Sequence, residues 1–495
     1  MVYTAELFGV PTKTIMDPVH GSIPVYLHEQ NVIDTPLFQR LRHILQNDVV
    51  FYVFPGAKHN RLLHSIGTMH MASTLFIQIT SRHLAQIKNE NLTDEQRHSI
   101  QYIHCCLRLA ALLHDVGHFP FSHQFEESEA VEPFLKPAIL KHLWNTAAVS
   151  DLKNIYEIDT NKKKISHEDF SVRIAYEILR SNNVLTGVDF EVRDIIYFLE
   201  NAKDDPSNLL LDHCKNIVKI IFPNKDVNSF DKKIFMSFLK YLKSFISGEL
   251  DADKMDYILR DSYFSGCKYG MYNKDHLVNS LKVGYELYRD QSDNIVDIEF
   301  SLAILEKGIG AMEDFVYARY QLYLELYNHK AVSGVRKLLS LAMKEILTEP
   351  ETADEVKAIL RDLQKFSSFT DTYFWEKFRA FAKTNSKSAC DRLINRIKLE
   401  YIEKKIDEDE TDIDTYCARY YLRYGKKIGY WKSKIKFSTI STKFKSIKVL
   451  VKEKDESDKL KYKLKKVSEI TDFFTKFQRK EIFHLFEIPG NLQNS

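Results

Sequence analysis

Along the first 60 residues, apolar and polar positions alternate only in short pieces. SIPVYL at 22–27 and VVFYVF at 49–54 read as extended, separated by turn signals at Asp17-Pro18, Gly21 and Pro55-Gly56. From residue 61 onward apolar positions recur with the helical period, which predicts helices over 65–86, 97–115, 167–181, 191–200 and 233–248. NAKDDPSNL at 201–209 is predicted as a loop, because Asn, Asp, Pro and Ser cluster there without an apolar period. The stretch 302–349 is predicted to form two long helices, and after the acidic DEDETD at 407–412 Lys, Tyr and Ile alternate in a β-like way. The pattern predicts a mainly α protein with small β pieces and a C-terminal α+β lobe. It divides into 1–340, a helical extension 341–420 and a basic lobe 421–495.

Composition narrows the classes without changing that outline. A chain of 495 residues with 44% apolar, 28% charged and 12% aromatic residues has enough apolar side chain for two or three packed domains. Sixteen glycines against 32 Phe and 26 Tyr exclude collagen-like and wholly disordered chains. No apolar run approaches the roughly 18 residues of a membrane span, and MVYTAELFGVPTKT has no basic start plus apolar core of a secretory leader. Six cysteines, at 105, 106, 214, 267, 390 and 417, show neither paired metal spacing nor disulfide density, so a reducing cytoplasm is expected.

The chemical signal is LAALLHDVGHFPFSH at 109–123, where an apolar helix ends on the adjacent pair His114 and Asp115. A buried imidazole and carboxylate without partners would be costly, and one shared divalent ion removes that cost. His64 in HNRLLHSIG and Asp253 in ELDADKMDYILRD are polar insertions in other helical stretches and complete a four-ligand set. Mn, Fe, Mg, Zn and Ni all suit such mixed nitrogen and oxygen donors and are not distinguished by them. His118, His123 and His167 are candidate acids or bases, and Glu126 can orient one of these imidazoles. Arg61, Lys254 and Arg319 are candidate cations for a phosphate chain.

These residues resemble the signature of the HD-domain metal phosphohydrolases: a separate His, an adjacent His-Asp and a later Asp. More closely, MDPVHGSI at 16–23, IDTPLFQRLRHI at 33–44, YVFPGAKHNRLLHSIG at 52–67, HDVGHFPFSH at 114–123, DADKMDYILRD at 251–261 and YNHK at 327–330 resemble the sterile-alpha-motif and HD-domain deoxynucleoside triphosphate triphosphohydrolases and their bacterial relatives. The likeness covers roughly residues 10–340 and lacks a sterile-alpha-motif region. It implies an HD-domain helical core and one divalent metal ion on His64, His114, Asp115 and Asp253. The implied reaction is hydrolysis of a dNTP to deoxynucleoside and inorganic triphosphate.

The resemblance further implies that His123 protonates the 5′ oxygen, with His167 and Glu126 as its supporting chain, and that His118 meets the α-phosphate. Arg61, Lys254 and Arg319 would contact phosphates, Tyr257 and Asp261 the deoxyribose, Gln46 the sugar, and Tyr327 the base side. Three departures stand out: Glu126 replaces an aspartate, Asn47-Asp48 an apolar-glycine pair, and Tyr323 a histidine near the nucleotide. Lys13, Asp34, Gln39 and Arg42 match an activating guanine-nucleotide site, which implies a regulated homodimer or homotetramer, although IDTPLFQRLR reads equally as a cap and packing helix.

The charge distribution leaves another reading open. Residues 421–450 hold nine Lys or Arg and no acid, and 421–480 carry 19 basic against 6 acidic residues, leaving the remainder net −11 in a chain of total charge +2. That segment suits nucleic acid, or equally a lysine-rich solvated face of a small lobe. The alternatives to dNTP hydrolysis are therefore a nucleotide phosphomonoesterase or phosphodiesterase at the same metal site, and a nucleic-acid-binding regulatory protein.

Overall fold

In the computed structural model, residues 10–492 are described apart from 87–91, 144–151, 158, 160, 182–183, 186–189, 200–201, 204, 293–294, 407, 436–446, 455–459 and 474–479. The chain enters through an antiparallel hairpin, β1 (Lys13–Asp17) and β2 (Gly21–Val25), turned at Gly21 with φ +74°. The main helices then follow. They are α1 (Arg61–Gln86), α2 (Asp94–Leu113), α3 (His123–Glu127), α4 (His167–Arg180), α5 (Asn208–Ile221), α6 (Lys232–Lys243) and α7 (Ala252–Ser265). A shorter helix, Val192–Tyr197, lies inside the 191–200 prediction.

Local chemistry sets several of these ends. Thr93 and Gln96 form a reciprocal capping box at the start of α2. Asp251 caps α7 by accepting the Lys254 N–H at 2.8 Å, and Gly266, at φ +77°, ends that helix in the left-handed region. Of the predicted loop 201–209, residues 201 and 204 lie outside the described residues, and α5 already begins at Asn208, capped by Ser207.

Two expectations need correction. VVFYVF is not a strand: Val50–Tyr52 is a turn of 3-10 helix, entered through Asp48 at φ +41° and closed by Val50 N–H to Asn47 C=O at 2.9 Å. Its apolar side chains fill a turn with no partner strand. The stretch 302–349 also begins as strand, because 302–305 finishes the second arm of an antiparallel pair, β3 (Leu281–Arg289) and β4 (Ile295–Leu305). Two helices then follow, α8 (Ile309–Leu322) and α9 (Lys330–Leu347), joined through a π-helical turn at Tyr323–Tyr327. Residue 340 lies inside α9.

After helix α10 (Asp371–Thr384), the C-terminal part is α+β, built from β5 (Glu400–Ile406), α11 (Glu410–Tyr424), β6 (Ile428–Ile435), β7 (Lys448–Lys454), β8 (Leu460–Lys466) and β9 (Lys480–Glu487). Residue 420 falls inside α11. Strands β5, β9 and β6 form one antiparallel sheet, whereas β7 pairs in parallel with β4 and antiparallel with β8, giving the order β3-β4-β7-β8. The main core runs continuously from Ile23 to Leu492, and a second cluster of Ile413, Ile428, Phe483 and Leu485 sits in the C-terminal lobe. Among the described residues no helix is long and apolar enough to cross a membrane.

Candidate metal and phosphate site

Helix α1 carries His64 one turn from its start, α2 ends directly before His114 and Asp115, and α7 carries Asp253 in its first turn. These four side chains converge. His64 Nε2 lies 3.0 Å from Asp253 Oδ1 and 3.5 Å from Asp115 Oδ2, while His114 Nε2 lies 3.4 Å from Asp115 Oδ1 and 3.7 Å from Asp253 Oδ1. Both Nε2 atoms are buried with no hydrogen-bond partner, and one donor atom each from His64, His114 and Asp253 fit within 4.8 Å of one another. Orphaned imidazole nitrogens facing carboxylates are a donor set that fits a divalent cation.

The ring orientations are imposed from behind. His114 Nδ1 donates to the Ala111 carbonyl at 2.7 Å, which leaves Nε2 as the lone-pair atom. His64 Nδ1 lies 2.8 Å from Asp256 Oδ2, and Arg260 grips both oxygens of that carboxylate at 2.8 and 2.9 Å. His20 meets Asp256 at 2.7 Å, and Arg260 reaches on to Asp17 at 2.8 Å. Burial alone would raise Asp256, but the Arg260 charge and the hydrogen bonds from His20, His64 and Arg260 hold it well below the usual carboxylate range. Gly67, one turn beyond His64, is required by this packing: a Cβ there would lie 1.9 Å from Asp256 Oδ1 and 2.4 Å from Arg260 Nη2. Asp253 and Asp256 outweigh burial and raise His64 to about 10; a cation would neutralise the same carboxylates in place of that proton.

Beyond the metal ligands the chain reverses through Gly117. A Cβ at Gly117 would lie 2.2 Å from the Ser171 nitrogen, so only glycine lets this loop press onto α4. That approach stacks His118 on His167 at 3.7 Å between centroids, with the His123 ring 4.9 and 5.0 Å from the two. Glu126 Oε1 lies 2.8 Å from His167 Nδ1 and accepts the His167 backbone N–H at 2.8 Å. Against burial, Glu126 raises His167 to about 9, whereas burial, reinforced by His167 and Arg61, pushes His123 down to about 3. At neutral pH the charged imidazole of the trio is thus His167, and His123 is neutral.

Both groups open on one cavity of about 1080 Å³. His114, Asp115 and Asp253 line it, as do His118, His123, Glu126 and His167; His64 is fully buried behind them. Arg61 and Lys254 are on its wall, each already engaged: Arg61 donates to Asp115 and to Ser122 Oγ at 2.8 Å, and Lys254 bonds Asp251 at 2.5 Å and the Gly248 carbonyl at 2.8 Å. Gln46, Tyr257, Asp261, Tyr323 and Tyr327 complete the predicted lining. The Tyr327 hydroxyl donates to Asp261, whose other oxygen lies 2.6 Å from His59 Nε2. Gln46 is 8% exposed and its Oε1 has no partner.

Arg319 is not brought to this wall. Its guanidinium sits 5.7 Å from the centroid of the Tyr323 ring, which does line the cavity. The four residues matched to an activating site lie outside the cavity and near one another: Lys13 Nζ is 3.9 Å from Asp34 Oδ1, Arg42 bonds Gln39 at 2.5 Å, and Gln39 donates to the Ile33 carbonyl at 2.6 Å. Sequence reasoning missed Asp256, Arg260, Asp17 and His20, and also the pair Asp48–Arg336 at 2.8 Å, which lines the cavity while Arg336 donates to the Tyr327 carbonyl at 2.7 Å. The spacing of Asp256 and Arg260, four apart on the helix of Asp253, was the one available signal.

Of the basic segment 421–450, residues 436–446 lie outside the described residues. Lys426, Lys432 and Lys448 are each paired with glutamates, at 2.7 Å to Glu487, 2.9 Å to both Glu410 and Glu481, and 2.6 Å to Glu286.

The family model of the HD domain matches residues 61–221, the segment that holds His64, His114, Asp115 and the histidine trio. Uncharacterized protein YwfO of Bacillus subtilis is 26% identical over 415 residues, covering 80% of this chain and 73% of that one. Deoxynucleoside triphosphate triphosphohydrolase SAMHD1 of Bos taurus is 26% identical over 374 residues, covering 74% of this chain and 54% of its own, so the chain spans about half the length of that relative. Among solved structures, a phosphohydrolase from Bacteroides thetaiotaomicron superposes with a TM-score of 0.60 at 19% identity, covering 96% of this chain and all of its own.

Proposed function

With the HD-domain match over residues 61–221 as the premise, we propose that the chain hydrolyses deoxynucleoside triphosphates to deoxynucleoside and inorganic triphosphate in a metal-dependent reaction. The observation that carries the reading is the convergence of His64, His114 and Asp253 within 4.8 Å beside Asp115, on a cavity whose wall also bears the imidazoles of His118, His123 and His167 and cations that include Arg61 and Lys254. A divalent ion held by His64, His114, Asp115 and Asp253 would supply Lewis acidity toward a phosphoryl oxygen. Arg61 and Lys254 offset the charge of the phosphate chain. His118 contacts the α-phosphate, and Arg319 contributes its field from over the Tyr323 ring.

Water adds to the α-phosphorus as the bond from phosphorus to the 5′ oxygen breaks; His123 delivers a proton to that oxygen, and the proton the water gives up balances it. His123 is neutral before substrate arrives, and the negative charge of a triphosphate raises its proton affinity. His167, kept cationic by Glu126 with its ring 5.0 Å from that of His123, stores the proton that recharges it. Tyr257 and Asp261 bound the deoxyribose with Gln46. Tyr323 and Tyr327, rings 5.2 Å apart and nearly perpendicular, line the base side. Lys13, Asp34, Gln39 and Arg42 form a surface group suited to a guanine nucleotide activator in a homodimer or homotetramer.

Purified protein incubated with each dNTP and Mn or Mg, with and without GTP, is expected to release deoxynucleoside and triphosphate on chromatography. Release of monophosphate would transfer the site to the phosphoesterase reading. His123→Ala is expected to keep metal stoichiometry and lower kcat by about 10²- to 10⁴-fold. Normal turnover would remove its acid role.

A further inference from the structure

The loop that carries His118 and leads to His123 contains a costly feature. Phe121 and Ser122 are consecutive non-glycine residues at φ +56° and +55°, in the left-handed region that side chains disfavour. Such a pair persists only where its surroundings over-determine it. Here the surroundings come from far along the chain. Asp371, at the first residue of α10, accepts the Phe121 N–H at 2.7 Å on Oδ1 and the Leu45 N–H at 2.9 Å on Oδ2. Ser122 Oγ closes the ring by donating to the Leu45 carbonyl at 2.7 Å while accepting from Arg61 Nε at 2.8 Å.

We propose that Asp371 is a positioning residue for catalysis, holding the Phe121–Ser122 turn and the Leu45–Gln46 segment in one register so that His118, His123, Arg61 and Gln46 face the cavity together; this rests on the dNTP hydrolase reading of that cavity.

Three further observations fit the role. Arg40 works from the other side of the same loop, donating to the carbonyls of Val116 at 2.8 Å, His118 at 2.7 Å and Phe369 at 3.0 Å, so both clamps meet α10 at its N-terminal end. The Phe121 ring, turned inward by its backbone, packs on Phe374, Trp375 and Phe378 of α10, with centroids 5.9, 5.4 and 6.1 Å away. Asp371 itself is 4% exposed, and its oxygens serve two backbone amides. Burial pushes it up to about 7 against those two hydrogen bonds, with Asp48 opposing ionisation, Arg61 favouring it and the Arg40 charge facing it. A residue needed only for packing would have no reason to be a carboxylate in this apolar setting. The helical extension is thereby part of the catalytic unit.

Asp371→Asn keeps one acceptor and turns an amide N–H₂ against the second backbone donor. In the full-length, metal-loaded protein it is expected to lower kcat by about 10- to 100-fold with KM changed less than about threefold and metal stoichiometry unchanged. Hydrogen exchange should rise locally over 45–47 and 119–124. Unchanged kcat, or a loss fully explained by the folded fraction with no local rise in exchange, would overturn the proposal. The wild-type protein provides a check that needs no variant: the Leu45 and Phe121 amides should be protected, and exchange at free-loop rates would overturn the clamp. Absence of any nucleotide turnover in the wild type would instead refute the hydrolase reading, leaving the exchange result to decide the clamp on its own.

Discussion

The His64 end of the helical core and the β5-β9-β6 lobe are both rich in charge, yet they handle it in opposite ways. Around His64, the side chains of Asp256, Arg260, Asp17 and His20 are almost wholly buried and bond one another, His64 and the backbone N–H groups of Val19 and His20. In the lobe, a lysine such as Lys426 sits at the surface against Glu487, while the lobe's interior is a cluster of four buried apolar residues. Buried pairs tolerate no missing partner, because the remaining charge has no water to turn to. Surface pairs exchange partners with solvent at little cost. Chemistry that requires fixed imidazole orientations is therefore found in the first region, and the second is free to vary its charges.

The comparison can be broken most severely at Asp115. Asp115→Ala is expected to abolish metal binding and turnover together, measured by metal analysis and product chromatography; stoichiometric metal in the variant would remove Asp115 from the ligand set. Next comes Arg260→Met, which strands Asp256 and Asp17 as buried anions and is expected to cost about 3–5 kcal/mol in urea denaturation. A loss below about 1 kcal/mol would put the core network in the same class as the lobe.

A smaller effect should appear with pH. The folded-state affinity of Asp371 for a proton is raised, to about 7, so the stability it contributes is complete below the ordinary carboxylate range near 4 and is lost as pH rises through 7. Urea midpoints should therefore show a downward contribution between pH 4 and 7 that Asp371→Asn removes; an identical slope in both proteins would contradict it. The smallest change belongs to the lobe: Lys426→Ala should leave the urea midpoint nearly unchanged, with still less effect in high salt. A larger loss would mean that the lobe pairs are structural after all.

Much of this was legible along the chain because it is local. The period of apolar positions located α1, α2, α4 and α6, and the adjacent His114-Asp115 marked the helix end at which the ligands gather. What remained hidden is non-local. Asp48 and Arg336 are 288 positions apart, and Arg260 and Asp17 are 243 apart, so no window of sequence contains either pair. VVFYVF has strand-like residues and forms a turn because Asp48 takes a positive φ just ahead of it. Residues 302–305 follow the apolar run of a helix, but their backbone is claimed by β3 on one side and β7 on the other. Arg319 lies one turn before Tyr323, but its guanidinium is held over the Tyr323 ring, and it is the ring that lines the cavity.

The parallel seam of β4 with β7, running from Ala303 opposite Lys448 to Leu305 opposite Leu450, also has a consequence for biosynthesis. A growing polypeptide on the ribosome will have made β3, β4 and all four candidate metal ligands long before β7 leaves the exit tunnel. During that interval one border of β4 offers unpaired amides and carbonyls to any neighbouring strand. Truncation before residue 448 should therefore leave His64, His114, Asp115 and Asp253 all in the chain but the product prone to self-association.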